Sequence, residues 1–175
     1  MDIIPNSIEL GTSKNAIVFI GLPGSGKTTY IRNSISGYNI VSADTIKEAH
    51  PEYSDANPST LHEWSVIEAE VQMEILSNCN LPICMDSGGV NNSYSLRIIN
   101  MLKSKGYQVT LIHMDTPLSV CLERNRSRAR HVPEEAIIEK SKRINQCAEK
   151  QKKIVDSYLK IEYNETTNLS KVIVH

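Results

Sequence analysis

The sequence predicts an α/β fold, a three-layer sandwich in which a mostly parallel central sheet is covered by helices on both faces. Three observations carry this. Apolar runs of strand length alternate with stretches of helical periodicity, the order that parallel strands joined by crossover helices require. A Gly-rich turn joins the first such strand to the first such helix. The 175 residues are 40% hydrophobic and 22% charged, enough apolar material for one core. No repeat, low-complexity tract or linker-like stretch divides the chain, so 1–175 reads as one domain.

Taken in order, Ala16 to Ile20 is a short apolar strand, followed after the turn by a helix to about Ser36. Tyr38 to Ser42 reads as a second strand, with a helix beginning at Thr45. After a Pro51 to Pro58 loop, Thr60-Leu-His-Glu63 has the form of a capping box. Leu61, Trp64, Val71 and Ile75 then recur at helical spacing to about Asn78, the pattern of a long amphipathic helix. Pro82 to Met85 is a strand, Ser93 to Lys105 a helix closed by Gly106, and Gln108 to Met114 another strand. Pro117 to Glu123 and Pro133 to Lys153 read as helices, the second with Pro near its first turn. Lys160 to Tyr163 and Lys171 to Val174 supply late strands.

Composition bounds the partners. Lys and Arg number 19 against 20 Asp and Glu, a formal net charge of −1, which excludes a general basic coat for gripping duplex nucleic acid. Any polyanion must be met locally. No window approaches the roughly 18 apolar residues a membrane helix needs, and MDIIPNSIELGTSK lacks a signal pattern. A cytoplasmic protein without membrane contact is expected. Cys79, Cys84, Cys121 and Cys147 show no Cys-x-x-Cys spacing and read as free thiols of a reducing compartment. No feature calls for an obligatory protein partner.

The chemistry begins at Gly21-Leu-Pro23-Gly24-Ser25-Gly26-Lys27-Thr28, a phosphate-binding loop between strand and helix. Its glycines let successive N–H groups close around phosphate oxygens, and the helix N-terminus adds its positive end. Lys27 brings a full charge to the β and γ phosphates, and Thr28 a hydroxyl for Mg²⁺. With Thr29, these residues form the candidate ATP site. The guanine-reading Asn-Lys-x-Asp motif is absent from the sequence. The base is therefore expected to be held by stacking and apolar contact beneath a lid or near Tyr163 to Asn168.

Transfer to a hydroxyl needs a carboxylate near the γ phosphate to take the proton. Asp44, ending Tyr38-Asn-Ile-Val-Ser-Ala-Asp, stands at the end of the strand after the loop helix; its bland reading is a cap for the helix at Thr45. Lys47, one turn on, is a candidate for an acceptor phosphate or else a surface lysine. Asp86, at the carboxyl end of another strand, is a candidate for the Mg²⁺ shell or for orienting the acceptor. Arg124-Asn-Arg126-Ser-Arg128-Ala-Arg130-His131 is a local charge excess without interleaved acids. It reads as a lid over about 124–133, with Arg124 and Arg128 toward ATP and Arg130 toward the acceptor.

Together these residues resemble the kinase domain of phage-type polynucleotide 5′-hydroxyl kinases and related small P-loop kinases. The resemblance runs from Ala16 to Lys153 and rests on Gly21 to Thr28, Ser42-Ala-Asp44 with Lys47, Asp86, Asp115-Thr-Pro117, Arg124-Asn125, Arg128 and Val132-Pro133. It implies a kinase-like sandwich with an Arg-rich lid, ATP and Mg²⁺ as cofactors, and a nucleic acid or nucleotide as acceptor. Lys27, Asp44 as general base and Arg128 at the transition state are then the catalytic residues. The chain departs from the family at Lys47, where a point charge replaces an arginine fork, and at Ala43, where a basic residue is expected. Relatives sharing this loop and lid phosphorylate hydroxymethylated bases such as 5-hydroxymethyluracil in phage DNA, nucleotide sugars or antibiotics. A reading of another class is an ATP-binding switch that hydrolyses slowly and signals by shape.

Overall fold

The computed structural model describes residues 14–54, 60–129, 131–164 and 169–174. Among these, β1 (Asn15–Gly21) is buried along almost its whole length, which is why NAIVFIG is a continuous apolar run instead of an alternating one. It lies inside a six-stranded sheet of order β2-β3-β1-β4-β5-β6, formed with β2 (Asn39–Ser42), β3 (Ile83–Asp86), β4 (Gln108–Asp115), β5 (Ser157–Asn164) and β6 (Leu169–Val174). The first five strands are parallel, and β6 returns antiparallel along β5.

Helices take both faces, as the alternation predicts. On one face Val18, Ile20, Met85 and Leu111 pack with Met73 of α3 (His62–Asn78), Ile98 and Leu102 of α4 (Asn92–Ser104) and Ile144 of α6 (Glu134–Lys152). On the other, Phe19, Cys84, Ile112 and Ile161 pack with Ile31 of α1 (Lys27–Ser34). The short helices α2 (Ala43–Glu48) and α5 (Leu118–Arg126) follow the carboxyl ends of β2 and β4, so each crossover begins at the same edge of the sheet. There Gly89 holds φ +69°, and a Cβ would lie 2.4 Å from Ile20 Cγ1. Only glycine fits that approach. The Gly89 carbonyl accepts from the fully buried Gln151 of α6 at 2.8 Å, tying the long helix to the loop after β3.

Three readings are corrected. α3 begins at His62, with Leu61 at the cap position and no side-chain cap, so the capping box does not form. α2 begins at Ala43, and the side chain of Ser42 accepts from Thr45 N at 3.4 Å. Asp44 is therefore inside the helix and is not its cap. The residues that revealed α3 are on its outer side: it buries Ser65, Ala69, Met73 and Ser77, while Trp64, Val71 and Ile75 are exposed. Small side chains face the sheet because the helix sits close to it. Cys84, Cys121 and Cys147 are buried free thiols and Cys79 is exposed. Among the described residues no helix is long and apolar enough to cross a membrane.

Candidate functional site

The phosphate-binding loop is braced from behind. Gly24 holds φ +86°, and a Cβ there would stand 2.5 Å from the carbonyl oxygen of Cys121 in α5. The loop thus lies against a neighbouring helix at a distance that admits only glycine. The buried Thr116 hydroxyl donates to Ser25 O at 3.0 Å, and Arg124 Nη1 donates to Gly24 O at 3.3 Å. The Arg124 guanidinium also stands 5.1 Å from the centre of the Tyr163 ring, which links the loop to the end of β5. Residues 165–168, the rest of the segment expected near the base, lie outside the described residues.

Lys27 is half-buried in the curl of the loop. Its ammonium donates to Gly21 O at 2.7 Å, Leu22 O at 3.0 Å and Ser25 Oγ at 3.5 Å. Burial pulls its pKa from 10.5 down to about 8, against the opposing pull of Asp86; the cations Lys140 and Arg128 lower it further. Thr28 Oγ1 donates to Asp86 Oδ2 at 2.8 Å. A hydroxyl and a carboxylate oxygen beside a phosphate-binding loop are the hard donors Mg²⁺ takes, with phosphate and water completing the shell. Among the described residues no group of three His, Cys, Asp or Glu could hold a metal by itself, so a divalent ion here needs the nucleotide's own oxygens. Thr29 is exposed on the first turn of α1, and Pro23 of the loop is half-buried.

On the acceptor side, the structure brings Ser42 into register with Asp86 at the ends of neighbouring strands, and Asp44 follows two residues later. Asp44 is 72% exposed and Lys47 only 4%, with Lys47 Nζ 3.1 Å from Asp44 Oδ1. Lys47 is thus not a surface lysine: its ammonium is engaged by the carboxylate that sequence assigns as base. Beside this pair opens a cavity of about 450 Å³ between β2, α2 and α3, whose lining includes Ile40, Ser42, Thr45, His50, Trp64 and Glu68. The His50 and Trp64 rings meet edge-on with centres 4.6 Å apart. Sequence reasoning read Trp64 only as part of a helical stripe and missed His50 and Glu68, because nothing local joins the end of α2 to the start of α3.

The arginine segment separates into parts. Arg126 pairs with both oxygens of Glu134, at 2.6 and 3.0 Å, so the acidic partner absent within the run is supplied by the next helix. Arg128 is exposed past the end of α5, close enough for its charge to act on Lys27. Arg130 lies outside the described residues. The buried Asn125 closes the loop: its Nδ2 donates to Val132 O at 2.8 Å and its Oδ1 accepts from Val132 N at 2.9 Å. Lys140, on α6, is a second cation acting on Lys27 that no motif marks.

Comparison with solved structures shows the same architecture at low identity. The PezAT toxin–antitoxin system of Streptococcus pneumoniae aligns at TM-score 0.71 and 17% identity, covering 91% of this chain and 72% of that one. The AvrRxo1-ORF1:-ORF2 complex with ATP aligns at 0.68 and 16%, covering 94% of this chain and 58% of that one. Shikimate kinase from Acinetobacter baumannii, solved with shikimate, aligns at 0.58 and 17%, covering 88% and 86%. The architecture is that of P-loop kinases, and it does not single out the polynucleotide type. No curated protein matches the sequence. The family model described as AAA domain matches residues 17–150, from the first strand through the loop, both strand-end carboxylates and most of α6, and the chain belongs to that family.

Proposed function

We propose that the protein is an ATP-dependent phosphotransferase that moves the γ phosphate to an alcohol hydroxyl. The observation that carries this reading is the convergence at one sheet edge of the Lys27 ammonium, the Thr28–Asp86 pair and, one strand further out, Asp44. The loop N–H groups and Lys27 hold the β and γ phosphates. Thr28 and Asp86 would hold Mg²⁺, which when bound offsets phosphate charge. The acceptor oxygen attacks the γ phosphorus as the bond to the β-phosphate oxygen breaks; its proton passes to Asp44, and ADP leaves. Lys47 orients that carboxylate through its 3.1 Å contact. Arg128 acts on the charge that develops during transfer, and Arg124 holds the loop and ATP; Arg130, by sequence alone, is assigned to the acceptor.

The acceptor hydroxyl belongs to a nucleic-acid end or a nucleotide, its ring seated in the cavity beside His50 and Trp64. A second reading, an uncharged cyclic small molecule, is favoured by the cavity lining, which holds Glu68 and no Lys or Arg. γ-labelled ATP offered with 5′-hydroxyl DNA, 5′-hydroxyl RNA, hydroxymethyl-base DNA, nucleosides and cyclic polyols tests both. Label on any acceptor supports a kinase, and which acceptor carries it decides between the readings. ADP release with every acceptor unlabelled assigns the protein to slow hydrolysis and a switch role instead.

A further inference from the structure

A helix packed on a sheet normally turns charge toward water, opposite its buried stripe. α3 does not. With 100° between successive residues, Ser65, Ala69, Met73 and Ser77 define the side against the sheet, and Trp64, Ile67, Val71 and Ile75 fall diametrically opposite. Those four are 40%, 63%, 43% and 57% exposed. The helix therefore carries no charged side chain on either pole, and its glutamates are confined to the two flanks. Glu68 and Gln72 border the outer stripe on one side, Glu63, Glu70 and Glu74 on the other, and α3 contains no Lys or Arg. Glu70 is paired with Arg97 of α4, so the negative charge of the rim rests on Glu63 and Glu74 on one side and Glu68 on the other.

We propose that this face docks a cationic amphipathic helix of a partner protein. From Trp64 to Ile75 the stripe is about 17 Å long at 1.5 Å per residue, the length of three turns of a partner lying along it with apolar residues at i, i+3 or i+4, and i+7. The rim selects the occupant. A second copy would bring glutamates against glutamates whichever way two α3 helices pair, since both flanks are acidic, and an anionic membrane surface would meet the same repulsion. The first thirteen residues of this chain, which contain Asp2 and Glu9 and no Lys or Arg, do not fit either. Lysines or arginines flanking an apolar stripe fit both the hydrophobic pole and the rim. Ile67, Val71 and Ile75 do not line the acceptor cavity, whereas Trp64, Glu68 and Gln72 border both it and the stripe.

The test uses the full chain and three synthetic 18-residue peptides, followed by fluorescence anisotropy. One is helical with a leucine stripe flanked by lysines, one has the same stripe flanked by glutamates, and one has the first composition scrambled to remove the stripe. Saturable binding of the lysine-flanked peptide alone is expected, weakened at least tenfold by Ile67→Ser with Val71→Ser and also by Glu63→Gln with Glu74→Gln. Both double variants should melt within a few degrees of the parent, as they lie off the core. Equal binding of the scrambled peptide, indifference to either pair of substitutions, or absence of binding would overturn the proposal. So would concentration-dependent dimerisation abolished by Ile67→Ser with Val71→Ser, which would give the face to a second copy.

Discussion

The two halves of the candidate site are built on opposite principles. Around the phosphate-binding loop, the bracing contacts reach backbone atoms, Lys27 to the Gly21 and Leu22 carbonyls, Thr116 to Ser25 and Arg124 to Gly24, with the side-chain pair Thr28–Asp86 beside them. On the acceptor side two side chains, Lys47 and Asp44, are in contact beside an open cavity. A site made from backbone groups is committed to one ligand geometry, whereas one made from side chains around a cavity is set by which side chains those are. Under the proposed function, the loop dictates the donor and acceptor choice is concentrated in α2 and α3.

Removing Lys27 should break the donor half most severely. Lys27→Ala is expected to lower phosphate transfer by several orders of magnitude while the fold survives, because the loop backbone keeps its braces at Thr116 and Arg124. Steady-state turnover alongside a melting curve checks this; near-parental turnover would remove Lys27 from the reaction.

Next in size is Asp44→Asn, which should cost at least about a hundredfold in transfer if the carboxylate is the base. Lys47 adds a consequence. Asparagine leaves a buried ammonium without its carboxylate, so the variant should also melt lower, and Lys47→Met on top of it should recover the melting temperature. Transfer should not recover. If it does, Asp44 serves only to neutralise Lys47, and Asp86→Asn becomes the test of the base.

This contrast also governs what the sequence discloses. The loop is eight consecutive residues whose chemistry is local, and the alternation of strand-length apolar runs with helical stretches sufficed for the parallel sheet, with strand ends displaced by at most three residues. The arginines were legible as a charge excess but not individually, because the partner of Arg126 is on the next helix and the Asn125 clamp is a tertiary contact. The inner face of α3 was misread for a physical reason. Close approach to the sheet favours Ser65, Ala69 and Ser77 there, so the largest apolar residues of the helix mark its outside. His50 and Glu68 have meaning only once α2 and α3 are side by side.

A smaller effect, about tenfold per pH unit, separates stability from binding at Lys27. Its pKa in the free folded protein is about 8, against 10.5 as the ordinary value. Between these the unfolded chain holds the extra proton, so the group's penalty on folding is complete below pH 8 and is relieved as pH rises toward 10.5. Bound phosphate needs the ammonium, so ATP binding above pH 8 must take up a proton and its affinity should fall by up to tenfold per unit. Opposite slopes are therefore expected from chemical denaturation and from nucleotide titration over that window. Parallel slopes would mean that the ammonium is not what holds the phosphate.

The smallest effect distinguishes the two residues that begin α2. The Ser42 side chain accepts from Thr45 N at 3.4 Å and is nearly buried, whereas Asp44 is inside the helix and exposed. Ser42→Ala should cost about 0.5–1 kcal/mol, the low range for losing an N-cap, because the bond is long. Its effect on transfer should stay below that of Asp44→Asn, since the strand register that positions Asp44 involves backbone paired with Asp86. The Asp44→Asn, Lys47→Met pair should show the reverse, with stability kept and transfer lost. Urea midpoints and turnover measured on both variants place them at opposite corners of that comparison. If Ser42→Ala is silent and the pair loses about 1 kcal/mol, the cap belongs to Asp44, and its carboxylate is structural before it is chemical.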